Sequence, residues 1–86
     1  MVRTKCFLLD GRILKVRERR VLASFQIWIY EGDQPISLHS TLRLGEIAAA
    51  YTKGIDLLNR GMSDAVSDVL QGRHPVLPAA RLMAAE

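Results

Sequence analysis

The sequence predicts an α+β fold: a four-stranded antiparallel β-meander followed by a helical hairpin packed on one face of the sheet. Three observations carry that expectation. The first half of the chain alternates apolar and polar residues with a period of two and is rich in branched and aromatic side chains. The second half changes to a helical spacing of apolar residues. Turn sequences, Asp10-Gly11 and Glu31-Gly32-Asp33-Gln34-Pro35, punctuate the strand half.

Residues 3–9 and 12–18 read as strands joined by Asp10-Gly11. Both central residues of a type I′ turn need positive φ, which Asp tolerates and Gly adopts freely. Leu9 should then face Arg12, Phe7 should face Leu14 and Lys5 should face Val16. Glu18-Arg19-Arg20 reads as a charged corner. Residues 21–30 give the clearest strand, with Val21, Ala23, Phe25, Ile27 and Ile29 opposed to Leu22, Ser24, Gln26, Trp28 and Tyr30. Residues 36–43 alternate again, Ile36, Leu38 and Leu42 against Ser37, His39, Thr41 and Arg43. An early helix there is disfavoured by Gly45, because Gly costs a helix about 1 kcal/mol relative to Ala.

From residue 46 the period lengthens. Ile47, Ala48, Tyr51, Ile55 and Leu58 form one stripe, so a helix is expected over 46–60, with Gly61 as its left-handed C-cap. Ser63 caps a second helix over 63–71, with Asp64 in its first turn, and Gly72 ends it. The expected domain is 1–72. Residues 73–86 form a proline-containing tail in which 79–86 are a short helix or a loose arm.

Length and composition narrow the function classes. Eighty-six residues make one domain. A hydrophobic share of 49% argues against disorder and leaves apolar surface that self-association would cover. Cys6 is the single cysteine, so no intrachain disulfide forms. No apolar run reaches the roughly 18–20 residues of a membrane span, and the run from Cys6 to Leu9 is too short for a signal peptide. A soluble cytoplasmic protein is expected.

For catalysis, Cys6, His39 and His74 are the residues that could make a thiol–imidazole pair, and no local motif joins them. One Cys and two distant His fit no zinc spacing, the glycines stand singly, and no cofactor or small-molecule substrate is implied. Asp64 and Asp68, four apart, read as a solvated helix face. The expectation is therefore not an enzyme. The net charge is +3, but seven of the twelve basic residues lie within residues 1–20.

Two surfaces are candidates. Trp28, Tyr30, His39 and Arg43 would share the sheet face away from the helices and have the composition of a partner-binding hot spot. Arg12, Lys15, Arg17, Arg19 and Arg20 form a basic segment suited to phosphates, beside Trp28 and Tyr30 suited to stacking bases. The first reading is a non-enzymatic protein-interaction or regulatory module, acting as a homodimer or on a protein partner. The alternative is a nucleic-acid-binding accessory protein.

Overall fold

A computed structural model describes residues 3–77 of the chain. The elements run β1 (Thr4–Leu9), β2 (Arg12–Val21), β3 (Ser24–Glu31), β4 (Gln34–Arg43), α1 (Leu44–Tyr51) and α2 (Leu57–Leu70). The strands form one antiparallel sheet in the order β1-β2-β3-β4, the expected meander. Asp10 and Gly11 both have positive φ, and the Leu9–Arg12, Phe7–Leu14 and Lys5–Val16 pairs form as the turn chemistry requires.

The helices lie on one side of the sheet. Alternation places Leu14 and Val16 of β2 and Ile27 and Ile29 of β3 on that side, where all four are fully buried. Met62, Ala65 and Val69, spaced three and four apart on α2, close the core against them. Phe7, Leu9, Ile36, Leu42, Val66 and Val76 pack around this centre. The α1 helix contributes no buried residue.

The expected boundaries need four corrections. Residues 18–20 are no corner: β2 runs through them to Val21, and the turn falls at Leu22-Ala23, where Leu22 has φ +54°. The second turn shrinks to Gly32-Asp33, and β4 starts at Gln34 rather than residue 36. The long helix over 46–60 is divided. It starts at Leu44 despite Gly45, and the Arg43 N–H donates to Glu46 Oε1 at 3.0 Å at its start. It ends at Tyr51, where Gly54 at φ +77° lets the Ile55 N–H close back on the Ala50 carbonyl at 3.0 Å.

The second helix then begins at Leu57, not 63. Its N-cap is Asp56, which accepts from the Asn59 N–H at 3.1 Å and from Arg3 Nη1 at 2.7 Å. Gly61 is therefore interior to α2. A Cβ there would lie 2.5 Å from Ile27 Cδ1, so glycine lets the helix sit close on β3. Gly72, at φ +77°, ends α2 as expected. Beyond it, Arg73 bonds Asp68, His74 bonds Ser37, and Val76 packs on the core. The proposed helical segment at 79–86 lies outside the described residues.

Candidate functional site: the open sheet face

Among the described residues, one face of the sheet has no helix on it. Cross-strand registers place Lys15 opposite Tyr30, Arg17 opposite Trp28 and Arg19 opposite Gln26 on that face. Ser24 faces Arg43 and Gln26 faces Thr41 across β3 and β4. The result is a cationic row on β2 beside an aromatic row on β3, with Arg43 at the end of the sheet. Arg17 lies over the Tyr30 ring, 5.4 Å from its centroid. Trp28 is held by its Nε1–H, which donates to Gln26 Oε1 at 2.8 Å.

The charge distribution of this face is one-sided. Both strand carboxylates, Glu18 and Glu31, project to the opposite side, since they pair with Ile27 and Leu14 of the core face. Among the described residues, Lys15, Arg17, Arg19 and Arg43 are in no ion pair. Leu8 and Ile13, paired across β1 and β2, extend the face with apolar surface at 65% and 69% exposure.

Each expected site residue can now be placed. Trp28, Tyr30 and Arg43 share the open face, as do Lys15, Arg17 and Arg19. Arg12 and Arg20 alternate onto the other side. Arg12 is ion-paired with Glu31 at 2.9 Å and donates to the Val76 carbonyl at 3.4 Å, while Arg20 lies over Phe25. The basic segment is thus split by the strand it occupies.

His39 is corrected in the same way. The β3–β4 register passes from Ile27–Ser40 to Trp28–Leu38, and from Ile29–Ser37 to Tyr30–Pro35. His39 and Ile36 are the extra residues of two β-bulges, so both turn to the helix side while Leu38 turns out. There His39 Nε2 lies 2.8 Å from Asp68 Oδ2, and the His39 and His74 rings meet edge to face at 5.0 Å.

This histidine pair is a polar cluster that sequence spacing did not reveal. Ser37 Oγ is hydrogen-bonded to His74 Nε2 at 2.7 Å, and Asp68 also accepts from Arg73 Nε at 2.9 Å. Hydrogen bonds from His39 and then Arg73 hold the Asp68 carboxyl below its usual range. Burial, reinforced by the nearby His39, lowers the His74 pKa. The roles of a hydrolytic triad are divided here between two imidazoles: the serine-bonded ring is His74, while the carboxylate holds His39. The Ser37–His74 contact ties the segment after α2 to β4, and the His39–Asp68 contact ties α2 to the same strand.

Cys6 is exposed on the open face of β1, across the sheet from both histidines. Among the described residues, no group of three or more His, Cys, Asp or Glu side chains could hold a metal. No helix among them is long and apolar enough to cross a membrane. Comparison with protein-family models, with curated proteins and with solved structures finds no match.

Proposed function

We propose that the chain is a non-enzymatic binding module whose open sheet face takes an extended polyanion, single-stranded nucleic acid. The observation that carries this reading is the acid-free row Lys15, Arg17 and Arg19 lying against the aromatic row Tyr30 and Trp28. Cations spaced along a strand can follow a phosphate backbone, and rings beside them offer stacking surfaces to unpaired bases. The same charge pattern weighs against a dimer made by stacking two open faces, because that would set cation against cation in a desolvated interface.

Fluorescence titration with short single-stranded oligonucleotides at increasing salt tests the reading. Binding should quench Trp28 and weaken as salt rises. Removing Arg17 or Arg19 should flatten the log–log salt slope by about 0.7 each. Trp28→Ala should cost about 1–3 kcal/mol of binding energy, the worth of one stacked base. Absence of binding at low salt, or an affinity indifferent to salt, would overturn it. The second reading is a protein partner on the same face, and the exposed pair Leu8 and Ile13 favours it. An acidic peptide that binds more tightly than any oligonucleotide would select that reading.

A further inference from the structure

The two edges of the sheet are unlike. The β4 edge carries Pro35 and two bulges, devices that spoil pairing with a further strand. The β1 edge has none of them: all six residues from Thr4 to Leu9 pair in unbroken register with β2.

Which backbone groups β1 leaves free follows from its hairpin. In a two-residue hairpin the residues flanking the turn form a hydrogen-bonded pair, and bonded and non-bonded pairs alternate from there. Leu9, Phe7 and Lys5 therefore spend their N–H and C=O groups on β2. Thr4, Cys6 and Leu8 direct theirs outward from the sheet. Among the described residues, no other segment hydrogen-bonds to those outward groups.

We propose that β1 pairs antiparallel with β1 of a second copy of this chain, about a two-fold axis through Cys6, to make a continuous eight-stranded sheet. The outward set of Thr4, Cys6 and Leu8 is symmetric about Cys6. Pairing centred there sets Cys6 against Cys6 and Thr4 against Leu8, twice, and satisfies every outward group. On the helix side it sets Lys5 against Phe7 of the other copy, so no like charges oppose one another. The axis stands perpendicular to the sheet and keeps both open faces on one side. The two β2 rows of cations then lie three strand spacings apart, roughly 14 Å, beyond the ~8 Å screening length at physiological salt.

This pairing does not depend on what the open face binds, and it is tested on protein freed of nucleic acid. Light scattering of the full chain should give twice the 9.6 kDa mass. Cys6→Asp sets two carboxylates against each other at the axis and should return the monomer mass with an unchanged far-UV spectrum. Should that variant misfold, Thr4→Lys with Leu8→Lys, both at exposed positions, opposes lysines at the outer pairs and should do the same. Cβ atoms of a directly opposed hydrogen-bonded pair lie about 5.5 Å apart, wider than the roughly 3.5–4.5 Å of a disulfide but within reach of a short two-ended thiol reagent. A short bis-maleimide should therefore link wild-type chains through Cys6, each thiol adding across one maleimide double bond. A monomeric wild type, or a dimer that keeps its mass in both charged variants and does not cross-link through Cys6, would overturn the proposal.

Discussion

His74 sits in an environment that its sequence context does not show, beside His39 and hydrogen-bonded to Ser37. Burial and the neighbouring His39 lower its pKa, against a smaller opposing pull from Asp68. The unfolded chain therefore binds the proton more readily than the folded one, so stability rises with pH across this interval. The contribution is complete above about pH 6.5 and is lost as pH falls through the lowered folded value. Acid should loosen the segment that His74 and Arg73 hold to Ser37 and Asp68. Thermal unfolding followed from neutral to mildly acidic pH should show a shallower decline for His74→Gln than for wild type. Gly61 makes the second prediction at this scale. Gly61→Ala gains helix propensity but drives a methyl into Ile27, which is fully buried and has little room to give. The variant should lose about 1–3 kcal/mol, the usual cost of overpacking. Adding Ile27→Val removes the obstructing methyl, so the double variant should lose less than the two single costs together. Neither role was legible in the sequence. His74 stands 37 positions from Ser37 and Gly61 stands 34 from Ile27, and periodicity reports only on neighbours within one element.

Turns and bulges decided what the individual elements present. Leu22 occupies the left-handed region at φ +54° in the β2–β3 turn and is 91% exposed. A branched residue there costs roughly 1–2 kcal/mol that Asn or Gly largely avoids. Leu22→Asn should accordingly raise stability by about 1 kcal/mol, read from chemical denaturation. A loss instead would mean that Leu22 packs in a way its exposure does not suggest. Alternation correctly put Gln26, Trp28 and Tyr30 on the open face, because β3 pairs with β2 without interruption. It failed on β4, where each bulge inserts one residue and inverts the alternation, sending His39 in and Leu38 out. The helical stripe failed for a related reason. Ile47, Tyr51, Ile55 and Leu58 have the spacing of one helix, yet Gly54 at positive φ ends the first helix. Tyr51 is 78% exposed as a result, and Asp56 starts a second helix.

Across the whole molecule, charge is sorted by face rather than along the chain. The helix side pairs Arg3 with Asp56, Arg12 with Glu31, and Asp68 with His39 and Arg73. Among the described residues, Lys15, Arg17, Arg19 and Arg43 on the open face have no ion-pair partner. Such a face carries a cost in self-repulsion. Arg19→Glu should thus leave stability unchanged or raise it by about half a kcal/mol, as surface changes do, while weakening oligonucleotide binding. Stability and binding moving in opposite directions would mark the face as kept for function. A variant that loses both would instead give Arg19 a structural role. By itself, the sequence determined the fold class, the first hairpin and its register, and the open-face row of β3. Each of these follows from turn chemistry or from an unbroken period of two, which are local constraints. Only the tertiary structure decided where the long helical stripe divides, and that Gly61 is a packing contact rather than a cap. It also decided that the basic segment splits between two faces and that His39 joins Asp68 and His74 across the core. Those outcomes depend on how α2 sits against the sheet and on two inserted residues in β4, and such contacts leave no period for the sequence to display.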